Sequence, residues 1–310
     1  MSTYRPLILV TGATGAQGGS TARELLAAGY QVRFLTRNPN APIAQSLVAA
    51  GAAAATGDME DAASVAAAMQ GVYGVFSVQI PDSAGTDAER RHGHALITAA
   101  QEAGVTHFVH TSVCEAGKHT QFPGWDTGYW WQKYWTDKWD VEEAVRSAGF
   151  RYWTILKPAF MMENFAQPKA QYMFPHLQQG KIITALLPAT RMQLIAADDV
   201  GVLARAAFAD PEHFKQKNID LAVEALTMEE VAATLGRVLG KSVSAQSVPP
   251  DEAIKAGLFP GWVRSQEWTN EVGYRADMPA LNSALGHYGI ELTPFANWIE
   301  RHAREIHIDT

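Results

Sequence analysis

The chain has a single cysteine, Cys114, in 310 residues. One cysteine forms no internal disulfide, which fits a reducing compartment. Cys114 follows an apolar run that reads as a buried strand, and no activating base is visible beside it. It reads as a small packed residue rather than a nucleophile. Long runs of Lys or Arg are also missing, and the formal charge is −7, so the chain lacks the clustered basic face of a nucleic-acid groove. No apolar run approaches the length of a membrane span. The opening "MSTYRPLILV" has neither a charged leader segment nor a long apolar stretch, and it reads as the lead into a strand. These absences together predict a cytoplasmic protein with no nucleic-acid or membrane partner. The ten histidines follow no zinc spacing. His92 and His94 point to nearly opposite sides of a helix, His107 and His110 read as structural, and no metal is expected. No G-x-S-x-G elbow supports acyl transfer.

What is present is alternation. A hydrophobic fraction of 47% supplies a sizeable core, and the length suits one large α/β domain or two domains sharing an interface. "LILVTG", "YQVRFLTR", "AAAATGD", "VYGVFSV", "VTHFVHTSV" and "RYWTILKP" read as strands. "GGSTARELLAAG", "APIAQSLVAAG", "DAASVAAAMQG" and "TDAERRHGHALITAAQEAG" read as the helices between them, each closed by glycine. Such βαβ units build a parallel sheet covered on both faces. After residue 150 the rhythm loosens. A helix from Met228 to Gly240 follows Thr227, with Glu230 as the partner in a capping box. We expect residues 1–157 to form the first domain and 158–310 a smaller lobe interleaved with the end of the sheet.

"TGATGAQGG" places Gly12, Gly15 and Gly18 between the first strand and the first helix. Glycine there lets the backbone approach a pyrophosphate, and the helix start offers free N–H groups and a positive dipole end. Thr14 and Gln17 in the same loop are further candidates to reach the cofactor. The second strand ends in "LTRNPN", with no carboxylate to accept from a ribose 2′-hydroxyl. Arg37 stands where a 2′-phosphate lies, and its planar, always-charged fork suits that group. This favours NADP(H), with NAD(H) not excluded. In "GDMED", Asp58 is placed to accept from an adenine amino group with Met59 packing on the ring; equally, Asp58 or Asp61 caps the next helix.

The motifs "TGATGAQGG", "LTRNP", "GDMED", "KPAFMMENF", "AADDVGVLARAAFADPE" and "LTMEEVAATLGRVLGKSV" resemble the NmrA-like branch of the atypical short-chain dehydrogenase/reductase superfamily, over residues from about 7 to about 300. The resemblance implies a Rossmann-type doubly wound sheet, a smaller α/β C-terminal substrate lobe and NADP(H) binding. The family includes NADPH-dependent reductases of quinones, aromatic compounds and dyes, and also regulators that bind the dinucleotide and act through protein partners. Within "KPAFMMENF" it assigns Pro158 and Phe160 to cofactor contacts.

The stretch "YWWQKYWTDKWDVEE" reads as part of a helix over residues 129–148, with Tyr134 and Lys138 sharing a face at i, i+4. This is the Y-x-x-x-K spacing of the superfamily. The phenol gives a proton to a carbonyl oxygen as hydride arrives, while the lysine holds the nicotinamide ribose and lowers the phenol pKa. By resemblance, Ser112, Tyr134 and Lys138 form the triad, with Ser112 polarising the same oxygen. The alternative for Tyr134 is a packing residue with its hydroxyl at the surface. Trp131, Trp135 and Trp139 form a stripe at helical spacing, which more often marks core than site. One helix does not bury every aromatic in this stretch, so Trp130 and Trp131, with Phe160, Met162 and Asn164, are expected to wall a substrate cleft; ordinary packing is the competing role for Phe160 and Met162. The expected function is an NADPH-dependent reductase of a small aromatic, unsaturated carbonyl or quinone-type substrate, monomeric or homodimeric. The alternative is a non-catalytic NADP(H)-binding redox sensor with a protein partner.

Overall fold

A computed structural model describes residues 6–80 and 85–309. The opening "MSTYR" lies outside the described residues. Six strands run in chain order: β1 (Leu7–Val10), β2 (Gln31–Thr36), β3 (Ala53–Thr56), β4 (Gly74–Ser77), β5 (His107–Thr111) and β6 (Tyr152–Pro158). Between them lie α1 (Ala16–Ala27), α2 (Pro42–Ala49), α3 (Ala62–Ala68), α4 (Ala88–Glu102) and α5 (Gln132–Ser147). With the later strand Lys217–Leu221 they form one seven-stranded sheet, ordered Lys217–Leu221, β6, β5, β4, β1, β2, β3. Neighbours from β6 to β3 pair in parallel. The order reverses between β1 and β4, and in open α/β sheets ligands bind outside the carboxyl ends of the strands at that point.

The central strands are buried, which is why β1 and β4 read as short, nearly continuous apolar runs. β5 departs from that pattern with two buried histidines. His107 sits 4.8 Å from the Phe208 ring and 5.6 Å from Tyr152, ring centre to ring centre. His110, on the opposite face of the strand, shares a hydrogen bond between its Nδ1 and the Ser77 hydroxyl at 3.1 Å, and Gln79 donates to that hydroxyl.

The chain divides into two compact units rather than at one cut after residue 157. The first comprises the chain up to Ala116, Lys133–Lys157 and Ala197–Ile219; the second takes Gly117–Gln132, Pro158–Ala196 and the chain from Asp220 on. In the first, the helix Ala197–Ala209 packs against α1 through Gly201, where an added Cβ would lie 2.6 Å from Ser20 Oγ. The second unit holds a three-stranded sheet (Phe160–Met161, Met192–Ile195, Glu224–Leu226) and a parallel pair (Lys181–Thr184 with Ser244–Ser247). Its aromatic core includes Phe160, Phe165, Phe174, Trp262 and Phe295. The helix Met228–Leu239 carries the anticipated capping box: Glu230 N–H donates to Thr227 Oγ1 at 3.2 Å, and Thr227 N–H donates to Glu230 at 2.8 Å. Gly240 ends it in the left-handed conformation.

Candidate functional site

The loop after β1 is built by two glycines with different duties. Gly12 takes φ +60°, and an added Cβ would lie 2.6 Å from Val78 Cγ1, so only glycine fits the turn. Gly18 is buried in the first turn of α1, and a Cβ there would come within 2.4 Å of the Gly12 carbonyl oxygen. Gly18 therefore serves close packing of helix against loop. Thr14 and Gly15 are exposed, and no side chain caps the start of α1, whose first-turn N–H groups have no partners within the helix. Thr11 ties the loop to the end of β4: its hydroxyl accepts from Val78 N–H at 2.9 Å and lies within 3.3 Å of the Phe76 and Val78 carbonyls. Gln17 Oε1 is buried and has no hydrogen-bond partner among the described residues.

Arg37 follows the last residue of β2. The turn beyond it closes on itself, with Asn38 N–H donating to Thr36 Oγ1 and Asn40 N–H to Asn38 Oδ1. That leaves Arg37 exposed, with no ion pair among the described residues. After β3, the two readings of the acidic turn separate. Asp61 is the cap of α3, accepting from Ala63 N–H at 3.0 Å. Asp58 spends one oxygen on Glu60 N–H, and Met59 packs against the core of the first unit.

α5 begins at Gln132, so Tyr129, Trp130 and Trp131 precede the helix rather than opening it. Trp131 consequently drops off the tryptophan stripe. Trp135 is buried, and Trp139 lies under the Arg146 guanidinium at 4.6 Å. Tyr134 and Lys138 do share a face, with the Lys138 ammonium 5.1 Å from the centre of the Tyr134 ring. The electrostatics differ from the expectation. Lys138 Nζ donates to Glu89 Oε1 at 2.6 Å in an ion pair whose side chains are only 8% and 7% exposed. Burial, and then the Glu89 charge, push the Tyr134 phenol well above the ordinary tyrosine range, opposite to the expected lowering. Glu89, from α4, drew no notice in the sequence. It stands 49 residues before its partner, and only the packing of α4 on α5 joins them.

Ser112 follows β5 directly. It is 6% exposed, and its hydroxyl has no partner among the described residues. Nearby burial drives His110 down to about 3, with the Lys138 charge adding to the effect, so it is a neutral hydrogen-bonding residue. Cys114 is fully buried, as a packed residue would be.

The second unit receives the other expected contacts. Met162 has no exposed surface and Phe160 is stacked on Trp262 at 5.0 Å; both are core residues there, because the short strand Phe160–Met161 runs through the middle of the aromatic cluster. Pro158 is buried at the end of β6. Asn164 is half-buried in the turn Met162–Phe165. This unit also has a cavity of about 860 Å³ lined by residues that include Tyr129, Trp130, Leu186, Pro249, Glu267 and Glu271. Trp130 lines it, its indole N–H donating to the Pro123 carbonyl at 2.6 Å, whereas Trp131, Phe160, Met162 and Asn164 do not.

The first unit therefore offers an open glycine turn, an uncapped helix start, a lone arginine and two buried oxygens still without partners. These features fit a phosphorylated dinucleotide. Comparison with known proteins agrees. The NAD(P)H azoreductase of Xenophilus azovorans is 31% identical over 258 residues, 81% of this chain and 80% of that protein. The structure of triphenylmethane reductase from Citrobacter sp., complexed with NADP(H), shares the fold with a TM-score of 0.76 at 22% identity, over 95% of this chain and 99% of that one. NmrA, a negative transcriptional regulator solved with NADP, does so with a TM-score of 0.73 at 20% identity, over 98% and 97%. A model of the NmrA-like family matches residues 5–298. This chain belongs to the NmrA-like family.

Proposed function

We propose that this NAD(P)H-dependent oxidoreductase uses NADPH to reduce a small aromatic or unsaturated carbonyl- or quinone-type compound. The observation that carries the reading is the Ser112 hydroxyl: buried at the end of β5, without a protein partner, and so available to an oxygen it can polarise. NADPH, when bound, supplies a hydride. Thr14, Gly15 and the first N–H groups of α1 would hold the pyrophosphate, Gln17 would meet the cofactor with its unpartnered oxygen, and Arg37 would take the 2′-phosphate. Asp58 keeps one carboxylate oxygen for the adenine side. An ammonium has three N–H donors, and Lys138 gives one to Glu89, which leaves two for ribose hydroxyls. The Tyr134 phenol, held protonated by its surroundings, is suited to giving a proton to a substrate oxygen. The azoreductase relative supports an aromatic substrate.

The test is to follow NADPH oxidation with quinones, aldehydes, ketones and azo compounds, with NADH in parallel. Turnover preferring NADPH is expected. The Y134F variant should lose carbonyl reduction most, because a quinone can draw its protons from solvent. Silence across the panel, with NADPH still binding in a titration, would overturn the reductase and leave a dinucleotide-binding regulator.

A further inference from the structure

The buried ion pair between α4 and α5 does more than fill space. Two charged side chains below a tenth exposed are costly to desolvate, and such a pair is weak grounds for stability alone. Its position is specific: one end of it lies over the face of the tyrosine at the candidate site, 5.1 Å from the ring centre. An aromatic face attracts a cation, so the ammonium has two anchors, the Glu89 carboxylate and the ring. We propose that Glu89 is a positioning residue that takes up the charge of Lys138, sets the ammonium against the Tyr134 ring, and biases the pair toward giving a proton rather than accepting one. This inference rests on the assignment of Tyr134 and Lys138 to the site.

The groups around the pair leave the carboxylate with that role. From β5, His110 is neutral, its Nδ1 taken by Ser77. From α5, Glu142 is fully buried and is committed to Arg146 at 2.6 Å and Lys157 at 3.4 Å, and Asp137 is paired with Lys133 at 2.6 Å. Glu89 from α4 is thus the carboxylate that meets Lys138. With its charge answered, the ammonium stabilises a phenolate poorly, and burial with Glu89 nearby raises the phenol. A reduction needs the phenol. The reverse oxidation of an alcohol needs the phenolate as base. Glu89 therefore keeps the phenol form, and with it the proton needed for reduction, available further into the alkaline range.

The experiment is a titration of tyrosines labelled at the ring carbon bearing the hydroxyl, followed by NMR in the full-length protein, with the Tyr134 signal identified by its loss in Y134F. In the wild type Tyr134 should titrate last among the tyrosines that titrate freely. In E89Q it should titrate earlier by about one pH unit or more, since an uncompensated cation then faces the ring. E89D, which restores the charge, should bring it back toward the wild type. The alkaline limit of NADPH-dependent reduction should move down in E89Q along with the NMR signal. If E89Q does not fold, K138M and the double variant E89Q/K138M give the same comparison without the lysine, and the double variant should titrate earlier. A Tyr134 signal unmoved by loss of the Glu89 charge in either background overturns the proposal. A signal that moves while Y134F keeps full turnover would instead sink the catalytic role of Tyr134 and leave the electrostatic role of Glu89 standing.

Discussion

Acid should destabilise the first unit well above the pH at which carboxylates protonate, and His107 provides the cleanest measure of it. Burial against Phe208 and Tyr152 brings its pKa from 6.5 to about 3, and neither ring nitrogen has a partner among the described residues. The folded state holds the ring neutral while the unfolded chain takes a proton below 6.5. Stability from this source is present above that pH and falls as pH drops from 6.5 toward 3. At pH 5 the unfolded state is favoured by about 1.5 pH units of binding, or about 2 kcal/mol, and His110, brought down to about 3 as well, adds a similar amount. The perturbation is H107L, close in volume and free of the two unpartnered nitrogens. At about pH 7.5 the variant should be as stable as the wild type or slightly more so, because no hydrogen bond is lost. Urea denaturation at about pH 7.5 and about pH 5, at constant ionic strength, should show the wild type losing about 2 kcal/mol more than H107L between the two conditions. Equal losses in the two proteins would refute the account of His107 as a buried neutral residue.

Other outcomes follow from the same geometry. Replacing Arg37 by Gln should raise the KM for NADPH by about 10- to 150-fold, the loss of a charge-assisted phosphate contact of about 1.5–3 kcal/mol, and leave NADH kinetics nearly unchanged; an equal effect on both cofactors would remove Arg37 from the phosphate site. G18A puts a methyl 2.4 Å from the Gly12 carbonyl, so the loop must shift, and both NADPH affinity and thermal stability should fall, which a binding titration and a melt would read separately. T227A removes the acceptor of the capping box and should cost about 1 kcal/mol in denaturation of the second unit without changing NADPH affinity.

Local rules made the first unit legible. The six strands stood out because parallel strands buried on both faces read as short apolar runs, and the helices between them end at glycines in the left-handed conformation, as at Gly29, Gly71 and Gly104. The glycine turn, Arg37 and the Thr227–Glu230 cap were visible because each depends on neighbours within a few residues. So did the shared face of Tyr134 and Lys138, which the helical repeat dictates. What the repeat does not dictate is what each face meets. Glu89 answers Lys138 only because α4 packs on α5, and burial, with the Glu89 charge adding to it, raises the phenol where a lowering was expected. Phe160 and Met162 carry no local mark that separates a core aromatic cluster from a cleft wall; their burial depends on Phe174 and Trp262 as well as on the neighbouring Phe165, and Trp262 arrives from about a hundred residues further along the chain. Gly18 likewise matches a phosphate-binding motif letter for letter, yet its methyl-free Cα is required by a carbonyl six residues back. Sequence determined the elements and the candidate chemistry, because these follow from backbone preference and spacing. Tertiary structure decided charge state, burial and partner, because those are set by residues far apart in the chain that only folding brings together.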